Sequence, residues 1–150
     1  MFKVALYLLI AVILAIFLLP FFYTVSPYQL DPTKILQAPS LEHLFGTDRL
    51  GRDMLARILQ GGQTSLIIGF LAASISSIVG LFIGINAGYF KGNIDKTITI
   101  MIDLFLTFPT FFLLLALVSY IQASALILII VISITGWMGM ARMIRSESFA

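Results

Sequence analysis

Four apolar runs, each long enough to cross a bilayer, dominate this 150-residue sequence. They cover residues 4–23, about 65–89, about 98–121 and about 125–141. A helix needs about 20 residues to cross the hydrocarbon core. Lipid offers no partner to open backbone groups, so each run is expected to be helical. The sequence therefore predicts an all-α membrane protein with about four transmembrane helices and membrane lipid around them.

The composition agrees with this prediction. Hydrophobic residues make up 60% of the chain and charged residues 11%, whereas a soluble domain is about half apolar and a quarter charged. A net charge of +2 is too small to indicate nucleic-acid binding, and no nucleic-acid partner is expected. Because the sequence has no cysteine, disulfides and thiolate chemistry are excluded.

The charges between the runs predict the topology. With the N-terminus inside, the inner flanks carry a net charge of +3 and the long outer loop carries none. The inner set is Lys3, Lys91, Lys96, Arg142 and Arg145 against Asp95 and Glu147. This asymmetry favours a cytoplasmic N-terminus. The first run is expected to be retained, because its core is longer than that of a signal peptide and no small-x-small site follows it. Tyr23, at its end, is expected to belong to an interfacial aromatic belt.

Three segments follow from this topology. They are an N-terminal transmembrane helix (1–23), an extracytoplasmic loop (24–63) and a membrane segment (64–150). Within the loop, apolar residues between Asp48 and Gln60 recur on one helical face, and Gly61–Gly62 is expected to end that helix. The pairs Asp48–Arg52, Arg49–Asp53 and Asp53–Arg57 have i,i+4 spacing. The pattern predicts a short amphipathic helix on the outer membrane face, or else a solvated helix that only spaces two membrane helices.

Polar and small residues within the membrane runs are further candidates. Gly80, Gly84 and Gly88 form two overlapping GxxxG steps, which favour close helix packing or, alternatively, a slim helix that lines a path. Asp103 is either a path or switch residue, or an interfacial carboxylate that pairs with Lys96 or Arg142. Pro109 is expected to kink the third helix.

No pattern of catalytic residues is found. The sequence has no phosphate-binding glycine loop, no HExxH or GxSxG motif, and no convergent pair of carboxylates in the spans. His43, the only histidine, is expected to be a surface or turn residue rather than a metal ligand. The chain is therefore not expected to be an enzyme or to bind a cofactor or metal.

Four segments resemble a known family, the inner-membrane permease subunits of binding-protein-dependent ABC importers of the dipeptide, oligopeptide and nickel type. GTDRLGRDMLAR (46–57) resembles the signature GTDxxGRDxxSR, and GGQTSL (61–66) resembles its continuation. GNIDKTITIMIDLFLTFP (92–109) resembles the third-helix pattern, and GWMGMARMIRSESFA (136–150) resembles the lead-in to the cytoplasmic coupling loop. Ala56, Gln63 and Ile100 depart from the family pattern, which usually has Ser, Arg and often Arg there.

The resemblance implies roles for two sets of residues. An outer-face motif would comprise Gly46, Thr47, Asp48, Gly51, Arg52, Asp53 and Arg57. The lead-in to the coupling loop would include Arg142, Arg145 and Glu147. In the family, the coupling loop and the last two helices would come after Ala150. The chain is thus expected to be the N-terminal portion of such a permease, either as a fragment or as a natural truncation.

The resemblance implies a multi-pass protein of the bacterial inner membrane that carries dipeptides or oligopeptides. Its partners would be a second permease subunit, two cytoplasmic ATPase subunits and an extracytoplasmic solute-binding protein. Alternatives are a nickel permease of the same type, a truncated membrane assembly protein that does not transport, and a small self-assembling channel.

Overall fold

The computed structural model describes residues 2–107 and 124–148, together with residues 112, 115, 116 and 119 between them. The long helices are α1 (Phe2–Phe22), α2 (Met54–Phe90), α3 (Gly92–Thr107) and α4 (Ala125–Glu147), and a 3₁₀ turn covers Pro32–Lys34. Within these residues the only extended pairing is an isolated bridge between Thr47 and Asp53. The predicted all-α class is confirmed. The chain divides into two compact units, residues 1–66 and 67–150.

Three of the described helices, α1, α2 and α4, are long and apolar enough to cross a membrane. Their bounds contain the first, second and fourth apolar runs of the sequence, apart from Tyr23. The third run begins within α3 and continues through positions that lie mostly outside the described residues. Pro109 and its expected kink are among those positions.

The separate amphipathic helix that the sequence predicts is not present. Residues 48–53 form a turn, and the following residues belong to α2, which continues through Gly61 and Gly62 for 37 residues. A helical glycine costs about 1 kcal/mol relative to alanine, but it keeps its N–H and so does not force the helix to end. At Gly62 the missing side chain has a use, because a Cβ there would lie 3.0 Å from Ile16 Cδ1. Gly62, which the sequence predicts to end the helix, is thus a point of contact with α1.

Beside this contact, a side chain of α2 donates a hydrogen bond to a backbone carbonyl of α1 that has no donor within its own helix. Pro20 lies inside α1 and has no N–H, so the carbonyl of Ile16 lacks its usual intrahelical donor. Gln63 Nε2 donates to Ile16 O at 3.1 Å. A buried or lipid-facing carbonyl without a donor is costly. Gln63 stands where the family pattern has arginine. From the first turns of α2 it supplies the donor that the Ile16 carbonyl of α1 lacks.

In the second unit, α2 and α4 approach closely along the glycine series. A Cβ on Gly80 would lie 2.6 Å from Met140 Cβ, and one on Gly84 would lie 2.7 Å from Ala141 O. Gly88 faces Ser148 in the same way. These separations leave no room for a side chain, so the structure places all three glycines against α4. Ile102 of α3 packs with Met138 and Ala141 of α4 in the core of this unit.

We expect Gly84→Leu to weaken the packing of α2 against α4 by about 1–3 kcal/mol, the usual cost of overpacking a filled site. Gly69→Leu is the matched control, because a Cβ on Gly69 meets nothing within 4 Å. Both variants gain similar helix propensity, so the difference between them isolates the clash. Thermal unfolding of the two proteins in detergent measures it. Equal unfolding temperatures for the two variants would contradict the packing role.

Candidate functional site

The outer-face motif lies in a loop whose centre is the buried carboxylate of Asp53. Asp53 precedes α2 and caps it, since Oδ1 accepts the Ala56 N–H at 2.7 Å. Oδ2 accepts hydrogen bonds from the Tyr23 hydroxyl at 2.7 Å and from His43 Nδ1 at 2.9 Å. Asp53 is only 2% exposed. One carboxylate thus joins the residue after α1, the middle of the loop and the start of α2.

The charge states in this cluster follow from its contacts. Burial alone would raise the pKa of Asp53, but the hydrogen bonds from Ala56, Tyr23 and His43 outweigh burial and lower the pKa below its ordinary value. Burial, followed by the hydrogen bond to the Asp53 carboxylate, raises the pKa of Tyr23 to about 12. At neutral pH, Asp53 is therefore an anion and the Tyr23 hydroxyl is a neutral donor.

The hydrogen-bond partners of His43 also assign its tautomer. Lys34 Nζ, which can only donate, lies 3.4 Å from His43 Nε2. Nε2 is therefore the acceptor, and Nδ1 carries the proton that is donated to Asp53. The imidazole acts as a bridge between an ammonium and a carboxylate.

Asp48 forms a second centre in the same loop. Its Oδ1 accepts the N–H groups of Leu50 at 2.8 Å and Arg52 at 3.0 Å. Its Oδ2 accepts Arg52 Nε at 2.9 Å and Arg57 Nη1 at 2.5 Å. Burial opposes ionisation of Asp48, but the backbone donors and the Arg52 guanidinium prevail and lower its pKa to about 2. Asp48 is therefore an anion shared by two guanidinium groups.

Of the three predicted ion pairs, only Asp48–Arg52 is present. The predictions for Arg49–Asp53 and Asp53–Arg57 are wrong: within the described residues Asp53 pairs with His43, and Arg57 pairs with Asp48. Sequence spacing alone does not decide these pairs. Asp48 meets Arg52 within the turn of residues 48–53. The Asp53 carboxylate instead caps α2 and accepts from Tyr23 and His43.

Two glycines of the motif are required by the backbone. Gly46 and Gly51 both have φ of +73°, a conformation that other residues rarely adopt. A Cβ on Gly46 would clash with the carbonyl of Gln37, and one on Gly51 with the carbonyl of Asp31. Both turns thus press against the segment around the 3₁₀ turn, and both positions exclude a side chain.

Thr47 completes the link to that segment. It is buried, donates its hydroxyl to the Lys34 carbonyl and accepts the Gln37 N–H at 2.8 Å. The Thr47 N–H donates in turn to Gln37 O at 3.1 Å. Six of the seven residues of the outer-face motif therefore lie in one loop, and Arg57, in the first turn of α2, is joined to that loop through Asp48.

The candidate residues of the second unit lie in other contacts. Arg142 Nη2 of α4 donates to Asp103 Oδ1 of α3 at 2.5 Å. Asp103 is thus an ion-paired carboxylate, with Arg142 rather than Lys96 as partner. Arg145 Nη2 pairs with Asp95 Oδ2 at 2.7 Å. Glu147 is the exposed last residue of α4.

Sequence reasoning missed Tyr23 and His43 as members of the Asp53 cluster. Tyr23 is expected from its position to belong to a membrane-interface belt, and His43 to be a surface or turn residue. Tyr23 lies 30 positions from Asp53, so no periodicity relates the two residues. The one available signal was a lone histidine in the loop that carries the acidic motif. Among the described residues, no group of three or more acidic, histidine or cysteine side chains could hold a metal ion.

Comparison with known proteins identifies the family. Residues 80–150 match the profile of the binding-protein-dependent transport system inner membrane component. A dipeptide transport system permease protein of Alkalihalophilus pseudofirmus is 37% identical over 136 residues, which are 91% of this chain and 44% of the relative. Oligopeptide transport system permease proteins of Haemophilus influenzae and Bacillus subtilis are 31% and 32% identical over 148 residues, in each case 97% of this chain and 48% of the relative.

The chain spans about half the length of these relatives. The similarity covers the outer-face motif, the three long apolar helices and the charged end of α4. Residues 80–150 therefore belong to the family of inner-membrane components of binding-protein-dependent transport systems, and the chain is similar over most of its length to permeases of that kind.

Proposed function

We propose that this chain forms part of the permease subunit of an ATP-driven importer that carries dipeptides or oligopeptides across the bacterial inner membrane. The observation that carries this proposal is the similarity, over nearly the whole chain, to permeases named for dipeptide and oligopeptide transport. The helices of the second unit would contribute to the wall of the translocation path. A second permease subunit would supply the rest of that path.

The loop around Asp53 would serve as the docking platform for an extracytoplasmic solute-binding protein. The bonds within this loop support the role, because the carboxylates of Asp53 and Asp48 order it through buried and charge-assisted hydrogen bonds. A docking surface that is already ordered avoids the entropy loss of ordering on binding. The loop also exposes large apolar side chains, among them Leu41 and Tyr28, which suit a protein contact.

The charged end of α4 would face the cytoplasm, near two ATPase subunits. Arg142 and Arg145 lie on this end, and both pair with aspartates of α3. Basic residues gather on the cytoplasmic side of membrane helices. The N-terminus of α1 would lie on the same side of the membrane.

Transport is tested in a host strain that lacks its other peptide importers. We expect deletion of the gene for this protein to abolish uptake of a radiolabelled dipeptide, and a plasmid copy of the gene to restore it. Uptake of labelled Ni²⁺ serves as the control and should not change. If peptide uptake persisted and Ni²⁺ uptake were lost, the proposed cargo would be wrong.

Orientation is tested with single cysteines, for which this cysteine-free chain is ready. We expect a membrane-impermeant maleimide to label Ser40→Cys in intact spheroplasts, because residue 40 would lie outside. Asn93→Cys, between α2 and α3, should be labelled only after permeabilisation, since that turn would face the cytoplasm. Both positions are exposed. The opposite labelling pattern would reverse the topology.

The platform is tested at its central carboxylate. We expect Asp53→Asn to destabilise the loop by about 1.5–3 kcal/mol, the usual worth of hydrogen bonds to a buried charged group. An amide cannot accept from Ala56, Tyr23 and His43 together, because one of its two polar atoms is a donor. Amide hydrogen exchange of residues 36–53, followed by mass spectrometry, measures the change as faster exchange.

Glu42→Gln is the matched control for Asp53→Asn. Glu42 is also a paired carboxylate, bonded to Lys34, but its side chain is 76% exposed. An exposed pair contributes little to stability, so exchange in this variant should match the native protein. Unchanged exchange in Asp53→Asn would show that the loop does not depend on its buried carboxylate.

A further inference from the structure

A cleft of about 350 Å³ lies beside the first turns of α2, within the first unit. Arg52, Arg57 and Tyr28 line it from the loop and the helix start, and Gln60, Gly61 and Thr64 line it along α2. The volume is at the lower end of the range for small-molecule sites. It is large enough for one side chain or a very short peptide.

The charges in this cleft do not balance. Arg52 and Arg57 both pair with the same oxygen of Asp48, so two cations share one anion. No acidic side chain is among the described residues that line the cleft. Arg57 uses Nη1 for Asp48 and is 44% exposed. Its Nε and Nη2 groups make no hydrogen bond within the described part of the chain, so a positive charge with open donors faces the cleft.

One face of α2 forms the floor. Arg57, Gln60, Gly61 and Thr64 have the i, i+3, i+4, i+7 spacing of a single helical stripe. Three of these residues carry polar side chains, and Gly61 leaves a gap among them. The stripe therefore offers hydrogen-bonding groups on both sides of an open space.

Within the part of the chain that the structure describes, no contact requires a glycine at position 61. Gly61 lies in a helix, so it needs no positive φ, and a Cβ there would meet nothing within 4 Å. The neighbouring Gly62 differs, because Ile16 packs against it. Glycine inside a helix costs about 1 kcal/mol relative to alanine. Room for a bound group in the cleft would account for this cost.

The start of α2 does not supply the positive charge of this site. Asp53 already caps the helix at the Ala56 N–H and places a carboxylate there. The attraction for an anion comes instead from the guanidinium groups. Guanidinium donors are arranged as a planar fork that matches the two oxygens of a carboxylate.

We propose that this cleft binds a carboxylate group, with Arg57 as the main anchor, Gln60 as a second donor and Tyr28 as the apolar wall. The carboxylate would come from the C-terminus of a short peptide or from an acidic side chain of a docked protein. Both sources present the same chemistry to the arginine. The site depends on these residues alone and does not depend on the proposed transport, so a chain that fails to support peptide uptake could still bind carboxylates here.

The test uses the full chain in lipid nanodiscs and three small probes. N-acetylalanine carries a terminal carboxylate, N-acetylaspartate N-methylamide carries a side-chain carboxylate, and N-acetylalanine N-methylamide is neutral. Titration by saturation-transfer NMR gives a dissociation constant for each probe. We expect the better carboxylate to bind at least about tenfold more tightly than the neutral probe, as one charge-assisted hydrogen bond implies. The carboxylate probe that has the lower dissociation constant shows whether the site prefers a peptide C-terminus or an acidic side chain.

Variants locate the binding in the cleft. Arg57→Gln should raise the dissociation constant of the tighter-binding carboxylate probe about tenfold. Asp48 keeps its pair with Arg52 in this variant, so the loop should stay folded. Gly61→Leu should block binding without removing charge. Gly69→Leu, at another open glycine of α2, should bind like the native chain. Equal affinity for the neutral probe and the carboxylates, or an unchanged constant in Arg57→Gln, would overturn the proposal.

Discussion

The carboxylate of Asp53 is the interaction on which the first unit depends. A buried charge is costly unless it is fully paired, and here three donors from three parts of the chain meet it. The Ala56 N–H fixes the start of α2, His43 fixes the loop, and Tyr23 fixes the chain just after α1. The three donor residues are well separated in sequence, so a single buried carboxylate supplies the tertiary contacts of a loop that has few buried apolar side chains. The position of Arg57, one turn into α2, follows from that cap.

The outer-face motif is therefore mainly a folding unit. Gly46 and Gly51 permit the turns, Thr47 links them to the 3₁₀ segment, and Asp48 pairs with two arginines. The groups left over for recognition lie at the edge of the loop, where Arg57 has open donors and lines the cleft beside α2. A signature can thus be specific to a family because its fold demands each residue, while binding uses only a few of the atoms. The carboxylate site assigned to this edge does not compete with the folding role.

Sequence reasoning succeeded where one physical rule dominates and failed where several meet. Hydropathy located three described helices, because lipid leaves the backbone no other solution. It misplaced the end of the Asp48–Gln60 helix, because Gly61–Gly62 was interpreted as a stop when Gly62 is a contact with Ile16. Pair spacing failed at Asp53, since its side chain caps α2 and accepts from Tyr23 and His43 instead of meeting an arginine. Tyr23 and His43 could not be found, because their link to Asp53 is tertiary and leaves no local pattern.

The second unit joins its helices in two different ways. Between α2 and α4, Gly80 and Gly84 bring backbone and Cβ atoms into direct contact, which fixes separation and register together. Between α3 and α4, the charged ends are joined by arginine side chains. Asp95 and Asp103 are eight positions apart, about 12 Å along a helix, whereas Arg142 and Arg145 are separated by about 4.5 Å. Long side chains absorb this mismatch, and the Asp103 pair is more than half exposed, so it adds little stability. We therefore expect the contact of Ile102 with Met138 and Ala141 to hold α3 against α4, while the two ion pairs orient the charged part of α3.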